Sequence, residues 1–234
     1  MLKIHFEDSH LIVISKPAGL LSQGEHTGDE NLVDLLRVHF GRNYVGLIHR
    51  LDRNTSGLMV VAKRTKAAQR LTQSLQEGSL HRRYLAWVHG HLHSPQAWTH
   101  FLKKNEKTNQ VSVTQSPSQG KKSSLTAQPL AHGLWKGHPL TLVEFTLETG
   151  RSHQIRVQAA FEGHPLLGDS KYGTASTRDD FPRTALHSSF LSFPHPMSKE
   201  VSQWNEPLPQ DMREIKQKPM TLPTKNPSLH PESN

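Results

Sequence analysis

His49-Arg50-Leu51-Asp52-Arg53-Asn54-Thr55-Ser56-Gly57 is a polar turn set between two apolar runs, Gly46-Leu47-Ile48 before it and Leu58 to Ala62 after it. The second run is short, apolar and free of breakers, which predicts a buried strand. Asp52 stands between Arg50 and Arg53. A nearby guanidinium favours the carboxylate, so this Asp is expected to stay ionised. A carboxylate at a strand-end turn can serve as nucleophile or base. It can equally be half of an ion pair that only organises the turn. This segment alone leaves both readings open.

Working outward, His10 to Ser15 is a β-branched run stopped by Lys16-Pro17-Ala18-Gly19, a strand followed by a turn. Asp29 to Phe40 carries Leu32, Val33, Leu35 and Leu36 at helical spacing, with Asp29 as N-cap and Gly41 as the residue past the end. Thr65 to Glu77 reads as a helix with Ala68, Leu71 and Leu75 inward, closed by Gly78; Leu80 to Val88 returns as a strand. Residues 103–124 are polar and predict a long hairpin or a mobile loop. Leu140 to Glu148 is a strand, and Ser152 to Glu162 a helix capped by Ser152 and ended by Gly163. Strands and helices mix without a steady βαβ rhythm, which predicts an α+β fold. From Asn205 onward, six of the 15 prolines fall in 30 residues with little periodicity. That predicts a folded domain over 1–204 and a Pro-rich, disordered tail over 205–234.

Composition narrows the function classes. The 234 residues contain no cysteine, which excludes disulfides, thiolate zinc sites, iron–sulfur clusters and cysteine nucleophiles. No apolar run approaches the roughly 18 residues of a membrane span, and the N-terminus lacks signal-peptide character. A soluble, cytoplasmic protein is expected. The formal charge is +8, and residues 37–83 hold ten Lys or Arg against only Asp52 and Glu77. The last 30 residues are neutral, four bases against four acids. A concentrated basic field attracts phosphate backbones.

A second cluster, Glu148-Thr149-Gly150-Arg151-Ser152-His153-Gln154-Ile155-Arg156, supplies two fixed cations and amides at a helix start. Gly168-Asp169-Ser170-Lys171-Tyr172-Gly173 follows as a tight polar turn. Other chemistry is weak. No dinucleotide or Walker glycine pattern is present. His89-Gly90-His91-Leu92-His93 puts three His on one strand, but with no carboxylate nearby it reads as a solvated strand end. Ser56 lacks a nucleophile-elbow context.

Taken in order, these segments resemble the RluA-type pseudouridine synthases. His49-Arg50-Leu51-Asp52 with Thr55-Ser56-Gly57 is similar to the family's signature, and Tyr84 in Arg82-Arg83-Tyr84-Leu85-Ala86 to its second motif. Thr149 to Val157, then Gly163-His164-Pro165-Leu166-Leu167-Gly168-Asp169 and Tyr172-Gly173, resemble the third. Ala185-Leu186-His187 resembles a closing element and Lys16-Pro17-Ala18-Gly19 the opening turn. The resemblance spans roughly residues 5–195.

It implies a long mixed, largely antiparallel sheet with helices and loops around an RNA-binding cleft. It implies a catalytic domain without the family's accessory RNA-binding domain. Asp52 would be the nucleophile, Tyr84 would stack on the target uracil and assist proton removal, Arg151 would pair with Asp52, and Leu186 would line the pocket. Arg50, Arg53, Thr55, His153, Gln154 and Arg156 would meet the RNA. Uridine to pseudouridine is an isomerisation, so no cofactor or metal is expected. The partner would be structured ribosomal or transfer RNA, bound by a monomer. The base must be flipped from its stack, at a cost of a few kcal/mol, and an aromatic face returns about 1–3 kcal/mol of stacking. Two alternatives stay open: a non-catalytic RNA-binding chaperone on the same fold, and a hydrolytic N-glycosidase, for which Asp169 is the nearest second carboxylate.

Overall fold

The computed structural model describes residues 2–24, 28–174 and 181–219. The chain begins with β1 (Lys3–Glu7) and β2 (Leu11–Lys16), then α1 (Leu32–Phe40), a short β3 (Gly46–Leu47), β4 (Ser56–Ala62) and α2 (Thr65–Gln76). A run of strands follows: β5 (His81–His89), β6 (Gln96–Asn105), β7 (Gln110–Thr114), β8 (Lys121–Trp135) and β9 (His138–Leu147). The chain continues with α3 (Gln154–Phe161), β10 (Leu186–Pro194), β11 (Val201–Asn205), α4 (Gln210–Arg213) and β12 (Lys216–Pro219). Residues 103–124 form the hairpin of β6, β7 and the start of β8.

Among the described residues the strands make one sheet in the order β1-β2-β4-β10-β5-β9-β8-β6-β7, with β3 on β4, β11 on β10 and β12 on β8. Every pairing is antiparallel except β4 with β10. This is the α+β fold that the pattern of strands and helices predicts, with the mixed, largely antiparallel sheet that the resemblance implies.

Side-chain alternation decides which face each strand residue serves. Ile12, Ile14, Met59 and Val61 join one buried cluster, where Leu32 and Leu36 of α1 and Ile155 and Ala159 of α3 cover the sheet. Leu11, Val13, Leu58, Val60 and Ala62 face the other way, against Ala67 and Leu71 of α2. Strands buried on both faces read as unbroken apolar runs rather than as alternation, as β2 and β4 do. Leu51, Tyr84 and Leu186 belong to the cluster under α1 and α3, so that face carries the site.

The parallel contact is only two residues long, His187 with Ser56 and Ser188 with Gly57. Gly57 has φ +110, and a Cβ there would stand 2.2 Å from the Ser188 carbonyl oxygen. No side chain fits, so the crossing requires glycine. Between this contact and β3, side chains satisfy β4. Ser188 Oγ donates to the Leu58 carbonyl at 3.0 Å, and Val60 N–H donates to His49 Nε2 at 3.3 Å.

Three expectations are corrected here. Helix α1 starts at Leu32, and its cap is Asn31, whose side chain accepts from Asp34 N–H at 3.1 Å. Asp29 is pulled away to pair with Arg53. Helix α3 starts at Gln154, not at a Ser152 cap; His153 stands before it in the left-handed region, at φ 52. The tail is ordered over residues 205–219. Proline there sets extended segments that still bury Met212 and Ile215 against Trp87, whose Nε1 donates to the Met212 carbonyl at 2.9 Å, before β12 closes on β8. Pro219 is the last residue described, so the expectation for 220–234 lies outside the described residues.

Candidate active site

The Asp52 turn is held from behind by the loop that follows β2. Ser22 Oγ donates to the Leu51 carbonyl at 2.7 Å and accepts from Leu51 N–H at 3.2 Å. Gly19 N–H donates to the Arg53 carbonyl at 2.8 Å, and Arg53 Nε returns a bond to the Gly19 carbonyl at 3.0 Å. Lys16 is fully buried, and its Nζ donates to the carbonyls of Pro17, Leu20 and Arg53 at 2.9, 2.7 and 3.2 Å. Burial pushes the Lys16 ammonium down to about 7, although the Asp52 charge nearby favours its protonation. Thr55 N–H closes the turn on the Asp52 carbonyl at 3.0 Å. So fastened, the turn presents a carboxylate whose side chain is about one-third exposed.

That carboxylate meets Arg156. Arg156 Nη1 donates to Asp52 Oδ2 at 2.7 Å, while Nε and Nη2 grip both oxygens of Asp169 at 2.7 and 2.8 Å. Asp169 has no exposed surface and also accepts from the amides of Lys171 and Tyr172. Burial opposes charge on both partners. Their mutual hydrogen bonds and charges outweigh it, so the Asp169 carboxyl is lowered and the Arg156 guanidinium raised. A bidentate pair of this kind fixes direction as well as charge, and it aims the third edge of Arg156 at Asp52. His153 Nε2 lies 3.8 Å from Asp52 Oδ1, and its Nδ1 is hydrogen-bonded to the Tyr172 hydroxyl at 2.6 Å. Burial lowers the His153 pKa, with Arg156 and Lys171 adding to burial and Asp52 and Asp169 opposing it.

Tyr84 stands on β5 opposite Ser188 of β10 and Phe145 of β9, and is only 4% exposed. Burial raises its phenol pKa, and Asp52 is close enough to add to the rise. Leu186, at the start of β10, shares a buried cluster with Tyr84 and Leu51. The site therefore sets the Asp52 carboxylate against Arg156 and His153, close to Tyr84 and to the buried cluster that Tyr84 shares with Leu51 and Leu186.

The expected residues divide. Asp52, Tyr84, Leu186, His153 and Arg156 come together. Arg151 does not: it is exposed, its Nε reaches the Lys122 carbonyl at 3.5 Å, and the cation on Asp52 is Arg156. Arg53 is turned to Asp29 at 2.8 Å, and Arg50 is exposed with no ion pair among the described residues. Neither fixes the Asp52 charge, as their positions in the sequence suggested. Thr55 is 2% exposed and sits beneath the turn rather than in the cleft. Gln154, 3% exposed, accepts from Arg151 N–H and the Thr149 hydroxyl and donates to the Ser124 carbonyl, so it braces the loop before α3. Asp169 is the support that sequence reasoning missed, because Gly168-Asp169 reads as a turn. Its occupied oxygens also remove it as the second carboxylate of a glycosidase. His91 and His93 lie against His132, with ring centroids 4.6 and 5.6 Å away, and no three His, Asp or Glu among the described residues are arranged to hold a metal ion.

Comparison with known proteins agrees with this fold. Residues 10–161 match the family model described as RNA pseudouridylate synthase. The chain is 38% identical over 224 residues to the uncharacterized RNA pseudouridine synthase YlyB of Bacillus subtilis, covering 92% of this chain and 71% of that one. It is 38% identical over 238 residues to ribosomal large subunit pseudouridine synthase D of Nitrosomonas europaea, covering 95% and 66%. Among solved structures, human RNA pseudouridylate synthase domain containing 1 superposes with a TM-score of 0.80 at 28% identity, covering 94% of this chain and 90% of that one. With Asp52, Tyr84 and Arg156 gathered at one face of the matching sheet, the chain belongs to the RNA pseudouridylate synthase family, the enzymes that isomerise uridine within RNA.

Proposed function

We propose that this chain isomerises a uridine of large-subunit ribosomal RNA, using Asp52 as the nucleophile toward the sugar of a flipped-out nucleoside. The single observation that carries the reading is the Asp52–Arg156–Asp169 chain. A guanidinium locked on a fully buried carboxylate holds a second, partly exposed carboxylate in a fixed direction. A carboxylate oriented by a fixed cation is what attack at a sugar carbon requires. The relatives named for the ribosomal large subunit support the choice of RNA. Tyr84 and Leu186 would receive the extruded base, with the phenol kept protonated by burial. Arg50 and Arg151, exposed and free of charged partners among the described residues, would meet phosphates.

The test is Asp52→Asn. Pseudouridine formation on a large-subunit ribosomal RNA transcript is expected to vanish while RNA affinity stays within a few fold. Turnover at the wild-type rate would refute the nucleophile. Pseudouridine mapping of total RNA from cells with and without the gene identifies the RNA, and a lost site in transfer RNA would replace the ribosomal assignment.

A further inference from the structure

Arg183 lies outside every contact to Asp52, yet it is 9% exposed and spends its whole guanidinium on three parts of the chain. Nη1 donates to the carbonyls of Asn54, Thr184 and Leu186 at 3.2, 3.1 and 3.2 Å. Nε and Nη2 form a bidentate pair with Asp211 at 2.7 and 3.1 Å. Asn54 is two residues beyond the nucleophile, and Leu186 shares the buried cluster of Tyr84. Asp211 belongs to α4, in the C-terminal segment that packs on Trp87.

We infer that Arg183 is a positioning residue for the isomerisation, and that Asp211 lends it the C-terminal segment as an anchor. The two set the distance between the Asp52 turn and the start of β10. The inference rests on the reading of Asp52 as nucleophile.

The bonds that fasten the turn end on Leu51, Asp52 and Arg53; Asn54 is exposed, and its carbonyl is taken by Arg183. A cleft of about 460 Å³ opens behind it, lined by Lys16, Ser56, Arg183, His187, Asp211 and Arg213 among others. Where side chains do not interdigitate, directional bonds must fix the backbone. Arg183 reaches both walls of the reaction site at once. The catalytic turn and the base-receiving strand are 132 residues apart in sequence, Asn54 to Leu186, and the strands that carry them share a ladder of only two residue pairs. Lysine could not replace it, because a single ammonium cannot satisfy a bidentate carboxylate and three carbonyls together. Asp211 fixes the guanidinium plane, as such pairs do.

The test is a double-mutant cycle on the full chain with Arg183→Lys, Asp211→Asn and both together. It uses single-turnover pseudouridine formation on a large-subunit ribosomal RNA transcript, with RNA affinity and Tm measured in parallel. Misplacement of a reacting group by about 1 Å costs roughly 10²-fold. Arg183→Lys is expected to lose about 10- to 100-fold in kcat with RNA affinity unchanged. Asp211→Asn should lose somewhat less, and the double variant no more than Arg183→Lys, because the pair acts as one unit. Guanidinium ion added to Arg183→Gly should restore part of the rate.

Unchanged kcat in the folded variants, or losses that add independently in the double variant, would overturn the inference. So would losses of kcat and RNA affinity that simply follow Tm. A wild-type chain that made no pseudouridine, or an active Asp52→Asn, would instead refute the underlying reading of Asp52.

Discussion

Asp52 and Arg156 form an ion pair of 2.7 Å across 104 residues of chain. The same guanidinium is locked on Asp169, so its direction is set before any RNA arrives. Charge placed in advance costs no reorganisation during the reaction, which is where electrostatic stabilisation gains most.

Arg156→Gln should therefore be far more damaging than Arg151→Gln. Removing one member of a buried pair typically costs about 3–5 kcal/mol, and loss of a preorganised charge about 10²–10³ in kcat. Arg151→Gln should leave kcat intact and reduce the salt dependence of RNA binding by about one charge. Single-turnover rates and a salt titration of binding check both. Equal kcat losses in the two variants would return Arg151 to the site.

Met212 has no exposed surface and packs with Ile215 and Trp87. Met212→Ala is expected to destabilise the fold by about 2–5 kcal/mol, or roughly 2–4 °C of Tm for each kcal/mol at this chain size. Calorimetry decides. An unchanged Tm would mean that the segment after Asn205 adds nothing to the fold.

Two buried histidines should make the fold acid-sensitive. Burial pushes His187 down to about 4 and His49 down to about 3. His49 also accepts from Val60 N–H, which requires an unprotonated Nε2. Both pKa values are lower in the folded chain than in the unfolded one. The unfolded chain therefore binds the extra protons, and stability falls as pH drops from about 6.5 toward 4. The slope is up to about 1.4 kcal/mol per pH unit for each His. Urea unfolding at pH 7 and pH 5 measures it. His187→Asn keeps an acceptor for Ser56 and should flatten the dependence; an unchanged slope would show that His187 does not contribute.

Gly57→Ala should separate β4 from β10, because the new methyl would overlap the Ser188 carbonyl. Its positive φ adds strain. The expected result is a large fall in Tm together with lost turnover. A variant folded and active at the wild-type level would show that the parallel crossing tolerates a side chain.

The strands, the hairpin and the turn that carries Asp52 were legible because they depend on local pattern: apolar runs and turn residues. The choice between Arg151 and Arg156 was not. It depends on where α3 begins, and that is set by the Gln154 side chain bracing residues 149–151 and by the left-handed backbone of His153, neither of which a capping rule reports. The segment after Asn205 was misread for a related reason. Proline content signals irregular backbone, but Pro209 here stands at the start of a short helix, α4, and that helix and the residues after it bury Met212 and Ile215. Asp169 was hidden because its partner, Arg156, lies 13 residues earlier on another element.

The position of β10 between β4 and β5 has a consequence for biosynthesis. Two neighbours in sequence are separated in space by a strand that ends at Pro194, long after β4 ends at Ala62. At about 5–20 residues per second, a growing chain waits roughly 7–26 s between finishing β4 and finishing the strand that joins it to β5. Until then the Asp52 turn and Tyr84 belong to two unjoined halves of the sheet.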